Sequence, residues 1–427
     1  MRNVSAAACP SENDTKDESD GLVEQLKPIH PERLRGTAGC ETWSVAFSPG
    51  GTFFAWSMGY GVVKVLSWPL PGGEEGHDRD GCQTDKAPER TLNCGHTVWG
   101  LAFGPHPKNR PGAICQASDS IDDDVQRLLL ATGLNNGIIK IWRVATGEAV
   151  FNLEGHQSVV RELVFPPNGT LTLVSGSRDG TLRIWDLETG KTRHTLRSRG
   201  GWVVCCRVAP DCSMIASVSS SDNRVSLWSL RSYTFMKGLA VHRQRAVSAC
   251  DFSPDGGMLA VGSSDPQASA GWRVDLWDPY TTELLATLQD CCNCEPFMAP
   301  NSVKTLCFSP DGLSLAVVAD HRALRLWELG QNTFAMETDL TGFHNELCCT
   351  FHPHGGIIAT GTRDGYARFW KAKSPVLSLS HLCRAVLRYS VSTPQIQALP
   401  IPQKLLEFLT YRDLPKTQEA YCQAHWR

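Results

Sequence analysis

A short strand pattern that ends in tryptophan recurs between residues 139 and 370, and it limits the possible folds of this chain more than any other feature. In each copy an alternating β-branched or apolar stretch precedes the tryptophan, as at residues 139–142 and 182–185. Successive copies are 43, 43, 49, 50 and 43 residues apart. A regular period of this length indicates a repeat architecture in which each unit supplies one set of strands. The tryptophans are Trp142, Trp185, Trp228, Trp277, Trp327 and Trp370.

A turn sequence recurs in each unit, at a second position that is independent of the tryptophan strand. Pro-Asp-Gly or a looser variant precedes each tryptophan strand, for example at residues 254–256 and 310–312. Proline presets φ at the first turn position, and glycine accepts the positive φ that closes a hairpin. Because an alternating strand comes before each turn, the sequence predicts a repeated strand-turn-strand unit. A further unit from Trp43 to Trp68 raises the number of units to seven.

An acidic residue stands six residues before three of the tryptophans, at Asp179, Asp222 and Asp364. Together these marks resemble the WD40 repeat, in which each unit supplies four short antiparallel strands to one blade of a β-propeller. The resemblance implies that the aspartate bonds a histidine from a preceding Gly-His loop. Because a buried aspartate needs partners to offset its desolvation, we expect a structural network rather than a catalytic one. Its predicted members are His156, Ser175, Asp179 and Trp185 in the fullest unit, with Asp222, Trp228, Asp364 and Trp370 in other units.

Seven blades need a closing device, and the sequence predicts an N-terminal strand at about residues 22–29 that completes the last blade beside Phe369 and Trp370. Departures from the period predict inserts at about residues 69–88 and 105–125, with smaller ones at 265–271 and 290–301, and these are candidate recognition surfaces. The predicted organisation is a disordered N-terminus at 1–21, a propeller at 22–372, a helical module at 373–412 and a tail at 413–427.

Composition excludes some classes of function. A net charge of -3 with 20% charged residues gives no electrostatic reason to expect nucleic acid or an anionic membrane as a partner. Seventeen cysteines without a secretory signal favour reduced thiols and a cytoplasmic or nuclear location. No familiar catalytic motif is present, so we expect no enzyme, cofactor or metal. A remote alternative is a zinc-dependent enzyme using Cys291, Cys292 and Cys294, which lack a second ligand pair at finger spacing.

After Trp370 the periodicity becomes helical. Arg384 and Arg388 lie off the apolar face of the predicted helix. A helix with such a stripe must bury it against something, either the propeller itself or another protein. The apolar stripe consists of Leu379, Leu382, Cys383, Val386 and Leu387.

Residues 378–388 resemble the elongin C-binding pattern of SOCS-box proteins, Ser/Thr-Leu-x-x-x-Cys-x-x-x-Leu/Ile, at every defining position. Residues 399–402 resemble the Leu-Pro-apolar-Pro cullin box, and their alternate prolines hold an extended segment before a second helix at 403–411. The resemblance implies that elongin C contacts Leu379, Leu382, Cys383 and Leu387. It implies that the cullin contacts Leu399, Pro400, Ile401 and Pro402.

WD40 units followed by this box resemble the family of WD-repeat and SOCS-box-containing proteins over residues 43–411. The resemblance implies an all-β, seven-bladed WD40 β-propeller followed by a small α-helical SOCS box. It also implies the substrate-recognition subunit of an E3 ubiquitin ligase, with target proteins on the propeller, and elongin C with elongin B, cullin-5 and its RING subunit on the box. The main alternative is an interaction scaffold whose C-terminal helix caps the propeller. His321, where a blade would carry Asp, and the tail at 413–427 depart from the pattern.

Overall fold

The chain folds into a ring of seven antiparallel sheets with three short helices at its C-terminal end. Within the ranges that the computed structural model describes, each blade has four strands, and one blade has a fifth. Nearly all residues of the predicted inserts, together with His321, the cysteines at 291–294 and most of the N-terminal segment, lie outside these ranges. The described residues are 21–28, 39–70, 89–104, 127–241, 246–264, 272–290, 303–319, 324–329, 334–337, 346–372, 379–391 and 393–420.

The strands follow the chain from blade to blade. Blade 1 contains β2 (Val45–Phe47), β3 (Phe53–Ser57), β4 (Val62–Ser67) and β5 (Arg90–Asn93). Blade 2 contains β6 (Val98–Phe103), β7 (Leu129–Leu134), β8 (Ile139–Arg143) and β9 (Ala149–Leu153). Blade 3 contains β10 (Val160–Val164), β11 (Thr172–Ser177), β12 (Thr181–Asp186) and β13 (Lys191–Arg197). Blade 4 contains β14 (Val203–Val208), β15 (Met214–Ser219), β16 (Asp222–Ser229) and β17 (Phe235–Ala240).

The remaining blades continue the series. Blade 5 contains β18 (Ala246–Phe252), β19 (Leu259–Ser264), β20 (Trp272–Trp277) and β21 (Leu284–Asp290). Blade 6 contains β22 (Val303–Phe308), β23 (Ser314–Ala319), β24 (Leu324–Glu328) and β25 (Phe334–Glu337). Blade 7 contains β26 (Glu346–Phe351), β27 (Ile357–Thr362), β28 (Ala367–Lys371) and, from the N-terminal end, β1 (Leu22–Leu26).

Strand β1 closes the ring, as the sequence predicts. It pairs antiparallel with β28, so that Leu22 lies opposite Trp370 and Glu24 opposite Phe369. The innermost strand of every blade contacts the innermost strand of the next blade, and β26 of blade 7 contacts β2 of blade 1. These strands form a continuous inner ring around a central channel. Closure leaves no open edge between the first and last blades.

Hydrophobic packing between neighbouring sheets holds the blades together. Each blade presents both faces to its neighbours, and for that reason the second strand of a blade is apolar or small along its whole length. All six residues of β15, β19 and β23 are buried. The repeat therefore builds one core that runs around the ring between the sheets.

The C-terminal residues form α1 (Leu379–Ser390), α2 (Thr393–Gln397), α3 (Gln403–Leu409) and β29 (Thr417–Ala420). The sequence prediction missed α2 and extended α3 to residue 411. It also gave the tail no role, whereas β29 pairs parallel with β21 and adds a fifth strand to blade 5, with Thr417 opposite Thr287. No described helix is long and apolar enough to cross a membrane.

Candidate partner-binding site

The predicted polar network of blade 3 is present as a chain of buried hydrogen bonds. His156 Nδ1 lies 2.8 Å from Asp179 Oδ2, and its Nε2 lies 2.7 Å from Ser175 Oγ. Trp185 Nε1–H donates to the same Ser175 Oγ at 2.8 Å. Thr181, which the sequence prediction omitted, donates to Asp179 Oδ1 at 2.7 Å. The network ties the second and third strands of the blade to the preceding loop.

Neighbouring hydrogen-bond donors stabilise the ionised form of Asp179. Burial alone would raise the pKa of its carboxyl group, but hydrogen bonds from His156, Thr181 and the backbone N–H of Gln157 outweigh burial and hold the pKa well below its usual range. The carboxylate thus accepts from the histidine ring, a hydroxyl and the backbone at once. All of these partners belong to the strands and loops of the blade itself, which supports the expected structural role.

Other blades share only part of this arrangement. Trp228 Nε1–H donates to Ser217 Oγ at 2.9 Å, and Trp370 Nε1–H donates to Thr360 Oγ1 at 3.0 Å. Asp364 is half-buried, whereas the side chain of Asp222 lies outside the part of the structure that is described. The tryptophan-to-hydroxyl bond is therefore the feature that these blades have in common with blade 3.

The C-terminal helices attach to blade 5 through a buried ion pair. Asp255, in the turn between β18 and β19, accepts from Arg388 Nε at 3.3 Å and from the Tyr411 hydroxyl at 2.7 Å. The side chains of Arg388 and Asp255 are 1% and 6% exposed. Arg388 also donates to Thr393 Oγ1 at 2.7 Å. A Cβ on Gly257 would lie 2.6 Å from the Arg388 guanidinium, so only glycine permits this close approach.

A second arginine of α1 joins the helices to each other. The guanidinium carbon of Arg384 lies 3.9 Å from the ring centroid of Phe408 and 4.5 Å from that of Tyr411. Its Nη2 donates to Asp413 at 2.6 Å. Stacking on an aromatic face while donating to a carboxylate is an arrangement for which the planar guanidinium is suited. Arg384 therefore connects α1 with α3 and the start of the tail.

Outside these contacts, the apolar stripe of α1 faces away from the propeller. Leu379 is 76% exposed, Val386 66%, Leu387 44% and Leu382 42%, and Cys383 is exposed as well. The two arginines that the sequence prediction placed off the apolar face are the residues that dock the helix. The helix is thus buried on its charged side and open on its apolar side.

The predicted cullin-contact residues are largely exposed as well. Leu399 is 43% exposed, Pro400 and Pro402 are exposed, and Ile401 is half-buried in the extended segment between α2 and α3. Leu405 of α3 is 42% exposed. Leu409 is buried at 3% and anchors α3 from its other side. Two segments therefore present leucines to the exterior on a module that is fixed by the buried arginines of α1 and by apolar residues such as Leu409.

The structure contains no cluster of three or more residues suited to binding a metal within its described ranges. The cysteines of the zinc alternative, Cys291, Cys292 and Cys294, lie outside those ranges.

Comparisons with known proteins match both parts of the chain. The WD domain, G-beta repeat family matches residues 147–186, 190–229, 234–268 and 339–371, and the SOCS box family matches residues 375–410. The chain is 40% identical to WD repeat and SOCS box-containing protein 1 from Mus musculus and from Homo sapiens, over 92% of this chain and 96% of each relative. A chain in the crystal structure of the mitotic checkpoint complex has the same fold, with a TM-score of 0.61, 18% identity, and coverage of 88% of this chain and 98% of that one.

Proposed function

This chain belongs to the family of WD repeat and SOCS box-containing proteins, and from that premise we propose that it is the substrate-recognition subunit of an E3 ubiquitin ligase that contains elongin B, elongin C, cullin-5 and a RING subunit. In this proposal the propeller holds the target protein and the SOCS box recruits the ligase. Ubiquitin transfer then follows from proximity, because a charged E2 is brought within reach of a lysine on the target. The mechanism requires no proton-transfer residue in this chain.

The outward apolar stripe of α1 is the observation that carries the proposal. A helix that only needed to cap the propeller would bury its leucines, since full burial of one leucine contributes about 1.5–3 kcal/mol. Here Leu379 is exposed at 76% while Arg388 is buried. An exposed row of leucines on a fixed helix is typical of a protein interaction site. The residues that resemble the elongin C-binding pattern are the exposed ones, which favours a receptor over a self-capped scaffold.

The extended segment supports the cullin part of the proposal. Pro400 and Pro402 restrict φ on both sides of Ile401, so the segment holds its shape without a partner. A rigid segment loses little conformational entropy when it binds. Because Leu399 and Leu405 are exposed next to it, cullin-5 would contact a preformed apolar edge beside the elongin C surface.

Co-purification tests the elongin assignment. We expect the double variant Leu379→Ala, Cys383→Ala to lose elongin C, because it removes the most exposed leucine of the stripe and the thiol beside it. Ser380→Ala is the matched control, since Ser380 is exposed on the same helix and lies outside the proposed contact set. Undiminished elongin C binding by the double variant would exclude the receptor proposal.

Exchange of residues 399–402 for alanine tests the cullin assignment separately. We expect cullin-5 to be lost from the purified complex while elongin B and C stay bound. Recovery of cullin-2 instead of cullin-5 with the unmodified chain would show that the cullin choice is wrong. Retention of cullin-5 by the alanine variant would show that this segment is not the cullin contact.

A further inference from the structure

We propose that the end of the propeller opposite the C-terminal helices binds an acidic, extended peptide segment of the target protein, through tryptophan and arginine side chains around the opening of the central channel. This inference rests on the proposed function, because it treats the propeller as the part that holds a target. We refer to Trp43, Trp99, Arg161, Arg178 and Trp202 together as the channel mouth.

Four of these side chains form one continuous stack across blades 1 to 4. The rings of Trp43 and Trp99 are stacked, with centroids 4.3 Å apart and planes 20° apart. The guanidinium carbon of Arg178 lies 4.7 Å from the Trp99 ring and 5.2 Å from the Trp202 ring. Trp202 is 53% exposed. A stacked guanidinium can still donate hydrogen bonds from its edge, so the stack offers both apolar area and a cation.

The position of these residues along the strands separates them from the C-terminal helices. Trp99 and Arg161 are the second residues of the inner strands β6 and β10, Arg178 follows β11, and Trp202 precedes β14. Asp255, which docks the helices, lies three residues after the last residue of an inner strand, β18. Because the repeats place all inner strands in the same direction around the channel, the channel mouth and the docked helices lie at opposite ends.

The charge at the channel mouth is positive. Burial lowers the pKa of Arg178, and repulsion from the positive charge of Arg161 lowers it further. Buried Arg178 Nε and Trp99 Nε1 have no hydrogen-bond partner in the described part of the protein. A carboxylate that accepts hydrogen bonds from the terminal guanidinium nitrogens of the two arginines would relieve the repulsion between them.

Acidic side chains inside the channel do not cancel this charge, because they already have a partner. Arg207 Nη1 lies 2.6 Å from Glu162, and its Nε lies 3.4 Å from Asp251. Arg207 is the fifth residue of its inner strand, β14, whereas Arg161 is the second residue of β10. Arg207 therefore lies about 10 Å further along the channel than Arg161. The channel has a volume of about 420 Å³, which suits a few side chains of an extended segment rather than a folded domain.

A peptide-binding experiment tests the proposal with the full chain bound to elongin B and C. The probes are three pools of short synthetic peptides, random in sequence except for a central Glu, Lys or Ala, and retention is measured by mass spectrometry. We expect the Glu pool to be enriched about tenfold or more over the Lys pool, and Arg178→Glu and Arg161→Gln to abolish that enrichment. Higher salt should weaken binding, since the contact is partly exposed.

Arg363→Glu is the matched control. Arg363 follows β27 as Arg178 follows β11, in the same turn of another blade, and it is exposed. We expect this variant to keep the Glu enrichment. Equal retention of the three pools, or full enrichment by a folded Arg178→Glu variant, would overturn the proposal. A fourth pool with a central phosphoserine tests the ligand chemistry: retention of that pool alone would show that the carboxylate assignment is wrong.

Elongin C binding is measured for every variant, so that a failure of this proposal can be distinguished from a failure of the proposed function. The channel-mouth variants should retain elongin C, and the Leu379→Ala, Cys383→Ala variant should retain the peptides. Loss of peptide enrichment with elongin C still bound would show that the arginines act at the channel mouth alone. A thermal melt of each variant identifies any that fails to fold, in which case the milder Arg161→Gln decides the outcome.

Discussion

The blades and the C-terminal helices distribute apolar and charged side chains in opposite ways. Strand β19 of blade 5 is buried along its whole length, and its neighbours in the core are apolar. Helix α1, which docks on the same blade, buries Arg384 and Arg388 and exposes Leu379 and Val386. The blades are therefore held by hydrophobic burial, whereas α1 is held by the ion pairs of its arginines and by stacking of Arg384 on aromatic rings. Buried apolar residues of the later segments, Ile396, Leu409 and Tyr411, add to this attachment. The apolar side of the module is left for another protein.

The polar attachment also fixes the orientation of the module. Hydrophobic contacts are non-directional, and a helix held by leucines could settle in several rotations about its axis. A buried arginine needs its partner in one place, because a buried charge without a partner is strongly unfavourable. Asp255 provides that place for Arg388, and Tyr411 donates to the same carboxylate. Rotation of α1 about its axis would break the contact between Arg388 and Asp255, so the leucines are kept outward.

Loss of the Asp255 carboxylate should have the largest effect. In Asp255→Ala, Arg388 would be buried without a charged partner, and removal of one member of a buried ion pair costs about 3–5 kcal/mol. We expect the helices to leave blade 5 rather than bear this cost. Hydrogen exchange at the backbone amides of α1 and β29 measures the change, since both should lose protection while the blades keep theirs.

Asp311→Ala is the control for that prediction. Asp311 occupies the equivalent turn of blade 6, between β22 and β23, and its contact with α1 is through its backbone oxygen, 3.0 Å from His381 Nε2. We expect protection of α1 to change little in this variant. Equal loss of protection in the two variants would mean that the turn, and not the buried ion pair, holds the helices.

Disruption of the blade 3 network should have the next largest effect. Asp179→Asn removes a charged acceptor of four hydrogen bonds, and we expect the free energy of unfolding to fall by about 1–3 kcal/mol at neutral pH. The folded-state pKa of Asp179 is depressed, so its stabilising contribution is present above the unfolded value of about 3.9 and is lost as the pH falls toward the folded value. Urea midpoints at several pH values measure this, and the difference from the unmodified chain should shrink below about pH 4.

A pH-independent difference would contradict the assigned role of the Asp179 carboxylate. Asp364→Asn is the comparison within the chain, because Asp364 stands at the equivalent position of blade 7 and is half-buried. A smaller pH-dependent effect in that variant would show that the charge effect belongs to the network of blade 3.

A smaller effect is expected from Arg384→Lys. Lysine keeps the positive charge beside Asp413 but cannot stack as a plane on Phe408 and Tyr411. Because cation–π contacts contribute about 0.5–2 kcal/mol, we expect a loss of about 1 kcal/mol in the docking of the helices. Hydrogen exchange in α1 and α3 reports it, and a loss as large as that of Arg384→Ala would mean that the positive charge beside Asp413 contributes nothing without the guanidinium group.

The sequence allowed the propeller to be predicted because its signals are local and repeated. Strand alternation, turn residues and the Trp spacing each recur, and β1 could be assigned to blade 7 because a ring of seven units needs a closing strand. The network around His156 followed from the same repeat. These features depend on residues within one unit or its neighbour, so a single sequence contains them.

The docking of the C-terminal helices could not be predicted in the same way. Periodicity shows which residues share a face of α1, but it does not show which face meets the propeller. Arg388 lies 133 residues from Asp255 in the chain, and no local pattern relates the two. The pairing of β29 with β21 is equally distant and depends on where the helices place the chain after Asp413. An i, i+4 pair of arginines on one face was the available signal, and by itself it is equally typical of a solvated surface.

The smallest expected change in stability comes from a substitution on the exposed apolar face of α1. Leu379→Glu replaces a leucine that is 76% exposed, so little apolar area is returned to water and the free energy of unfolding should change by less than about 0.5 kcal/mol. Leu259 is fully buried in β19. By contrast, Leu259→Ala should lower the free energy of unfolding by about 2–5 kcal/mol. Thermal melts of the two variants measure this difference, and elongin C co-purification should show the reverse order. A large loss of stability in Leu379→Glu would mean that the apolar stripe helps to hold the fold, and that its exposure is not reserved for a partner.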